Sequence, residues 1–436
     1  MKIERLKIKN YKVFADTEIN DLPSMCVFLG ANGSGKSTLF DVFGFLSHAL
    51  RTNVRTALDN RGGFNEVISR DKKGDIEFEI KFRNETEGET GKKPPLITYK
   101  LVIGLLENEK RPIVKEEVLS YRRGAQHGAP WKFLNFKNGE GSAIKNEDKY
   151  GTEGAKEERE YQKLASPDIL AIKGLGQFEK FKAISDFRKL LENWYIADFQ
   201  IPDARKSQEV GLGERLSSTG DNLASVTDYI FENYPKVFDE ILEKMKKRIP
   251  GVSSVNAEKT VDGRIILRFQ DGSFKDPFIS RYVSDGTLKM FAYLVLLNNP
   301  SKNPLLCVEE PENYLHPDLL SELAEEFREY TERGGQVFIS THSPDFVNAL
   351  ELNELFWLTK SKGYTIIMRA KDDKTVSQLV ESGDHLGSLW SQKAIFIENK
   401  ACGQYFGQYL FKTIRHRRFF QKKFYSHFIP LPLKYF

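Results

Sequence analysis

An α/β fold built on a mixed sheet and interrupted by a helical insertion is predicted for this chain of 436 residues. Three observations predict it. A glycine-rich turn joins an apolar strand to a helix over residues 25–50. Residues 75–136 alternate apolar and polar side chains with a period of two, which is typical of an antiparallel meander. Strand and helix patterns then alternate over residues 265–368, as they do in parallel sheets covered by helices.

The first lobe of the protein is expected over residues 1–136. Apolar residues at helical intervals over residues 39–50 predict its first helix. The segment 84–95 is rich in Glu, Gly, Lys and Pro, and we interpret it as a solvated hairpin loop. The predicted strands of this lobe are residues 3–8, 13–19, 25–29, 76–82, 99–103 and 114–118.

Residues 137–250 are expected to form a charged loop followed by the helical insertion. The part at 137–160 is glycine-rich and highly charged without periodicity, which predicts a mobile surface loop. Apolar residues recur at helical spacing over 166–248, and no heptad is sustained as a long coiled coil requires. The second lobe is expected over 251–390, and residues 391–436 form a basic and aromatic tail.

Composition predicts a soluble protein of a reducing, cytoplasmic compartment. Apolar residues make up 40% of the chain and charged residues 29%, which allows a large core. The net charge of +4 is too small to indicate nucleic-acid binding by itself. The cysteines Cys26, Cys307 and Cys402 lack C-x-x-C spacing, and the first two lie in apolar runs as small buried side chains would. Neither a secretory leader nor a membrane segment is expected.

The turn after the apolar strand at 25–29 matches the phosphate-binding pattern G-x4-G-K-[ST], between a strand and a helix. Its glycines let backbone N–H groups surround phosphates, Lys36 adds a positive charge, and the Ser37 hydroxyl suits Mg²⁺. The alternative, a glycine-rich turn with an unrelated lysine, is disfavoured by the flanking strand and helix. The sequence therefore predicts a nucleoside triphosphate site. Its predicted residues are Gly30, Asn32, Gly33, Ser34, Gly35, Lys36, Ser37 and Thr38.

Two consecutive carboxylates, Glu309 and Glu310, end a later apolar run at residues 305–308. Glu309 is suited to hold Mg²⁺ directly or through water, and Glu310 to accept a proton from an attacking water. Charged residues are common at strand ends, so this interpretation depends on the phosphate loop upstream. The pair predicts the hydrolytic half of the site.

A histidine, His342, follows a further apolar run at residues 337–339. In isolation it would be interpreted as a surface histidine before a turn. Because it follows the paired carboxylates by one helix and one strand, we interpret it as a polar sensor of the terminal phosphate.

Ser284, Asp285 and Gly286 precede the apolar helix at 290–297. Ser284 as N-cap and Gly286 in the first turn would leave exposed amides at the positive end of the helix dipole, which makes a second anion site. Taken alone, this segment is only a helix cap.

In the order phosphate loop, Ser-x-Gly cap, paired carboxylates and histidine, the chain resembles the ABC-type ATPases of the SMC/RecF/OLD-like branch, and specifically the AAA-21/AAA-15 group. The resemblance covers about residues 1–390. Further matching segments are residues 7–14, 61–64, 220–224 and 309–317.

The resemblance implies an ABC-type P-loop ATPase head with a RecA-like core, which uses ATP and Mg²⁺. It implies Glu310 as the general base and His342 as the switch histidine. It also implies that Ser284, Asp285 and Gly286 form a signature that closes over the nucleotide of a second copy. Asn313 matches the loop that crosses between subunits. The glutamine that bridges Mg²⁺ and water in this superfamily is not identified by the sequence.

The family's surroundings imply DNA maintenance or anti-phage defence, with an ATP-dependent dimer or higher oligomer controlling a nuclease or toxin. A separate Toprim-like protein is one such effector, and DNA is a candidate ligand. Residues 394–399 resemble the opening of a Toprim domain without its glycine. Too few residues follow for that fold, so no built-in nuclease is expected.

Basic and aromatic side chains intermix in the tail at 391–436, which suits phosphate contact and base stacking. An amphipathic or partner-docking helix is the favoured interpretation, and the resemblance does not extend to this tail. Two alternative functions remain. A transporter nucleotide-binding subunit would have a much shorter spacing between phosphate loop and signature. A largely non-catalytic, ATP-locked scaffold would share all of these motifs.

Overall fold

The computed structural model of the protein describes residues 2–83, 96–106, 110–121, 130–147, 156–211 and 213–392. Three sequence predictions lie outside the described residues. They concern the hairpin loop at 84–95, Cys402, and the tail from residue 393 onward.

An antiparallel sheet of eight strands forms one layer of the protein, and the predicted meander is its centre. Alternate residues of its strand at residues 76–83 are buried, as period-two patterning predicts. In spatial order the strands are β2 (Phe14–Ile19), β1 (Lys2–Tyr11), β4 (Ile76–Arg83), β5 (Leu96–Leu105), β6 (Pro112–Tyr121), β7 (Trp131–Lys137), β8 (Glu140–Ile144) and β9 (Arg159–Lys163).

The surface loop predicted at 137–160 is wrong in its described part, because β8 and the start of β9 belong to this sheet. The sheet therefore crosses the lobe boundary predicted at residue 136. The reason is that β9 is an edge strand whose side chains are all half-buried or exposed. Such a strand needs no apolar alternation. It is held instead by backbone pairing and by Arg159, which donates to the Lys132 carbonyl at 3.0 Å.

A second sheet of six strands lies at the centre of the molecule. Five of its strands are parallel, and the last, β18, is antiparallel to its neighbour. It is buried on both faces: Cys26 and Phe28 belong to one core, and Val27 and Leu29 to the other. In spatial order the strands are β10 (Trp194–Ala197), β15 (Leu305–Glu309), β16 (Gln336–Thr341), β3 (Met25–Leu29), β17 (Leu355–Ser361) and β18 (Tyr364–Arg369).

The all-helical prediction for residues 166–248 is wrong at β10, which pairs with β15 at the edge of the central sheet, and at the two-residue strand Gln208–Glu209. Four residues between two helices are too few to show a strand period in the sequence. The region is also not a separate body, because side chains of its helices belong to the same two cores as the central sheet.

Helices cover both faces of the central sheet. None of the described helices is long and apolar enough to cross a membrane. The first core includes α1 (Lys36–Arg51), α2 (Val54–Asp59), α3 (Phe64–Val67), α4 (Ala171–Leu175) and α5 (Lys182–Glu192). The second core includes α6 (Ile201–Ala204), α7 (Leu223–Asn233), α8 (Pro235–Arg248), α9 (Asp285–Asn298), α10 (Asp318–Glu332), α11 (Pro344–Asn348), α12 (Lys374–Glu381) and α13 (Leu386–Ser391).

A small third sheet packs beside α7 and α8 in the second core. Its central strand, β13, pairs with each of the other three. The strands are β11 (Gln208–Glu209), β12 (Val252–Lys259), β13 (Arg264–Asp271) and β14 (Phe278–Ile279).

Candidate functional site

The phosphate loop occupies residues 30–35 between β3 and α1, and Lys36 is the first residue of α1. Its Nζ donates to the Gly30 carbonyl at 2.7 Å and lies 3.5 Å from the Ala31 carbonyl. Burial lowers the pKa of the Lys36 ammonium. Among the described residues, the buried Ser34 hydroxyl has no hydrogen-bond partner. A desolvated cation and an unpaired hydroxyl suit an anionic ligand such as a triphosphate.

The other predicted residues of the phosphate loop lie on its open side. Asn32, Gly33 and Ser37 are exposed, and Thr38 is half-buried in the first turn of α1. Gly35 has a φ of 109°, a left-handed conformation that favours glycine. The loop therefore presents its open side to solvent at the carboxyl edge of the parallel strands, where ligands of such sheets bind.

Thr365 on β18 is hydrogen-bonded to the phosphate loop. Sequence analysis did not identify this residue. Its hydroxyl donates to the Ser34 carbonyl at 2.7 Å, and its own N–H donates to the Val13 carbonyl at 2.9 Å. A Cβ on Gly35 would lie only 2.6 Å from the Thr365 hydroxyl oxygen. This close approach gives a second reason for glycine at that position.

Thr365→Val should weaken ATP binding, because it removes the hydroxyl that fixes the phosphate loop while keeping the side-chain shape. A net hydrogen bond is worth about 1 kcal/mol, so we expect a Kd about 3- to 10-fold higher in a titration with labelled nucleotide. Thr365→Ser keeps the hydroxyl and serves as the matched control. Equal affinities for the Val and Ser variants would contradict this role.

Glu309 ends β15, and the Ser37 hydroxyl on α1 lies close enough to its carboxyl group to influence its pKa. Burial raises the pKa of Glu309, and the Ser37 contact opposes that rise. A carboxylate and a hydroxyl thus meet beside the phosphate loop, and Mg²⁺ uses such oxygen donors together with substrate phosphates. The described residues contain no group of three or more acidic, histidine or cysteine side chains that could hold a metal. One carboxylate and one hydroxyl fit Mg²⁺ as a partner of bound phosphates.

Glu310 begins the loop after β15 in a left-handed conformation, with a φ of 42°. Its N–H donates to the Ser340 carbonyl at 2.9 Å, and its carboxylate accepts from the Asn313 amide at 3.1 Å. Nδ1 of His342 lies 3.4 Å from the same carboxylate. The structure therefore brings the predicted base and the predicted sensor together, and a non-glycine residue at positive φ is typical of sites under functional constraint.

Glu312 is a further polar residue of the site that sequence analysis missed. It is buried, and its carboxylate accepts from the Thr341 hydroxyl at 2.7 Å and from the His342 N–H at 2.9 Å. It also lies 3.4 Å from Nδ1 of His342. Glu312 thereby ties the loop after β15 to the end of β16. The sequence offered one indication of its place in the site, which is its position two residues after Glu310.

The predicted cap of α9 forms as expected. Ser284 is the N-cap, and its hydroxyl accepts from the Thr287 N–H at 3.1 Å. Asp285 pairs with Arg205. A cavity of about 430 Å³ opens at this helix end, and no residue of the phosphate loop lines it. Its lining includes Ser284, Asp285, Gly286, Thr287, Tyr314 and His316.

The strand β10 brings two further polar residues to the carboxyl edge of the central sheet. Asp198 follows β10, and its negative charge acts on Glu309 to raise the pKa of that carboxyl, in addition to burial. The Gln200 amide donates to Asp198 at 2.8 Å. Sequence analysis missed both residues because β10 was not predicted.

The chain is similar to known proteins in sequence and in fold. The family model described as "AAA domain, putative AbiEii toxin, Type IV TA system" matches residues 25–348. The Old nuclease of Escherichia phage P2 is 24% identical over 215 residues, which are 43% of this chain and 36% of that protein. The chain thus matches little more than a third of the length of this relative.

Two solved structures share the fold. One is an Smc head bound to the C-winged helix domain of ScpA, with a TM-score of 0.52, 14% identity, and coverage of 84% of this chain and 98% of that chain. The other is an Smc head with an extended coiled coil bound to the C-terminal domain of ScpA derived from Pyrococcus furiosus. Its TM-score is 0.50, with 14% identity and coverage of 88% and 99%. Because the family model spans most of the sequence, the chain belongs to the AAA_21 family, within the SMC/OLD-like group of ABC-type P-loop ATPases.

Proposed function

We propose that this protein binds and hydrolyses ATP with Mg²⁺ and dimerises around the nucleotide. One observation supports this most directly. The central sheet brings Lys36 and Ser37 to the same edge as Glu309 and Glu310, whereas Ser284 opens onto a cavity that the phosphate loop does not line. This arrangement supports a catalytic half-site in one chain and a separate helix terminus suited to phosphate, which a second copy would bring together.

Each residue has a role in the proposed hydrolysis. The loop amides and Lys36 bind the phosphates, and Ser37 and Glu309 would hold Mg²⁺. When bound, Mg²⁺ neutralises charge on the transferred phosphoryl group. Glu310 accepts a proton from the attacking water.

Two further side chains complete the proposed site. His342, held by Glu312, orients the Glu310 carboxylate at the terminal phosphate. Gln200 is our candidate for the glutamine that orients the attacking water, because it follows the strand next to β15. His342 and Gln200 would thus orient the Glu310 carboxylate and the attacking water at the terminal phosphate.

We further place the protein in DNA maintenance or anti-phage defence in the cytoplasm, where its ATP cycle would control a partner effector. The similarity to a phage nuclease and the toxin in the family description support a nuclease or toxin as that effector. The Smc heads bound to ScpA provide a structural precedent for a head of this fold with a bound protein partner.

The experiment compares the full chain with Lys36→Ala, which removes the loop cation. With ATP and Mg²⁺ we expect the wild type to release phosphate and to sediment as a larger species, and Lys36→Ala to do neither. Loss of a charge-assisted contact should weaken ATP binding about 10- to 100-fold. Association without phosphate release in the wild type would instead support the ATP-locked scaffold. Equal behaviour of both proteins would refute the nucleotide site.

A further inference from the structure

The loop that begins at Glu310 packs against the first turn of α9, so the loop that carries the predicted base contacts the predicted signature within one chain. A Cβ on Gly286 would lie 2.7 Å from the Tyr314 carbonyl oxygen and 3.9 Å from a Leu315 methyl group. Tyr314 is itself in a left-handed conformation, with a φ of 68°. A close backbone contact of this kind leaves little room for the loop and the helix end to move independently.

A buried lysine, Lys289, makes the second contact between these two segments. It lies on the second turn of α9 and is 4% exposed. Its Nζ donates to the main-chain carbonyl of Glu310 at 3.4 Å and lies 5.7 Å from the centre of the Tyr314 ring. The contact therefore joins the signature helix directly to the peptide group of the predicted base.

Lys289 is not well explained as a stabilising residue. Among the described residues no carboxylate forms an ion pair with its ammonium, and Glu312, Asp198 and Glu310 act on it only through their charge. Burial lowers the pKa of Lys289 to about 8, against the opposing effect of these carboxylates. Because a buried ammonium without a close counter-charge is costly, an apolar side chain would serve the packing of α9 better.

We propose that Lys289 is a positioning residue that couples engagement of the α9 N-terminus to the orientation of Glu310. This inference rests on the proposed ATPase function. A second copy whose nucleotide meets Ser284 would press on α9, and Lys289 would transmit that displacement to the Glu310 peptide. A small rotation of the Glu310 peptide, whose backbone is left-handed, would redirect its carboxylate.

The test is Lys289→Met in the full chain, which keeps the length of the side chain and removes its charge. We expect kcat for phosphate release to fall about 10- to 100-fold, since small misplacements of a catalytic group cost about that much. The Kd for ATP should stay within about 2-fold of wild type, because Lys289 does not belong to the phosphate loop. The thermal midpoint should be unchanged or higher, because a buried charge is removed.

Two further variants separate this role from a structural one. Lys302→Met is the matched control, because Lys302 also donates to a main-chain carbonyl, that of Arg333 at 3.1 Å, at an exposed position. Lys289→Arg keeps the cation and should recover part of the kcat that Lys289→Met loses. If Lys289→Met proves too unstable to assay, the kcat of Lys289→Arg is compared with that of the wild type.

Each outcome has a defined meaning. A kcat loss with an unchanged or raised thermal midpoint supports the inference. Unchanged kcat in Lys289→Met, or a loss matched by a lower thermal midpoint and shared by Lys289→Arg, overturns it while leaving the ATPase function intact. Absence of ATP turnover in the wild type refutes the proposed function and this inference with it.

Discussion

Glu310→Gln is expected to slow phosphate release by about 100- to 10,000-fold while leaving ATP binding almost unchanged. The amide keeps the size of the side chain and still offers an oxygen to Asn313, which contacts Glu310 at 3.1 Å. It cannot accept the proton of the attacking water. Single-turnover assays with prebound ATP measure the chemical step directly, and nucleotide titration measures binding.

The variant should also keep the ATP-bound dimer assembled for longer, since the step that ends that state is blocked. Glu332→Gln, at an exposed position at the end of α10, controls for loss of a negative charge. Turnover that persists unchanged in Glu310→Gln would show that another group is the base. Glu309 and Glu312 would then be the next carboxylates to test.

Mixing two inactive variants should restore activity if each nucleotide is enclosed by two chains. Lys36→Ala disables the phosphate loop, and Ser284→Glu places a negative charge at the N-terminal end of α9, where it repels a bound phosphate. A hybrid dimer then has one site with both defects and one intact site. At equal concentrations half of the dimers are hybrids, so about a quarter of wild-type turnover is expected if the sites act independently.

The control for this experiment is each variant alone at the same total concentration, which should be inactive. Activity should also rise with the time allowed for subunit exchange. No recovery after full exchange would indicate that Ser284 acts on the nucleotide of its own chain, or that both sites must be intact for turnover. A hybrid made with wild type separates these two cases, because only the second leaves that hybrid inactive.

The individual motifs could be predicted because each depends on neighbours in the chain. A phosphate loop needs a strand, a glycine-rich turn and a helix start, and residues 25–38 contain all three. The same is true of Ser284, whose capping contact is with Thr287 three residues away. Glu309 and Glu310 end a strand whose apolar run is visible in the sequence.

Residues whose role depends on distant partners were missed. Thr365 meets Ser34 across 331 residues of sequence, and Lys289 meets Glu310 across 21. Neither residue type indicates its partner, because threonine is common in strands and lysine is common on helix surfaces. The strand β10 was missed for a related reason: its four residues pair with β15, and that pairing is not a local property.

The amino-acid sequence alone thus establishes which chemical groups the protein has and at which strand or helix ends they lie, because short-range sterics and hydrogen bonds decide those features. Only the tertiary structure decides which ends meet. Parallel pairing of β15, β16 and β3 brings Glu309 close to Ser37. Packing of α9 against the loop after β15 brings Lys289 to Glu310. These contacts form because apolar side chains are buried in two large cores, one on each face of the central sheet. Each core collects side chains from segments far apart in the sequence, so no local pattern predicts these contacts.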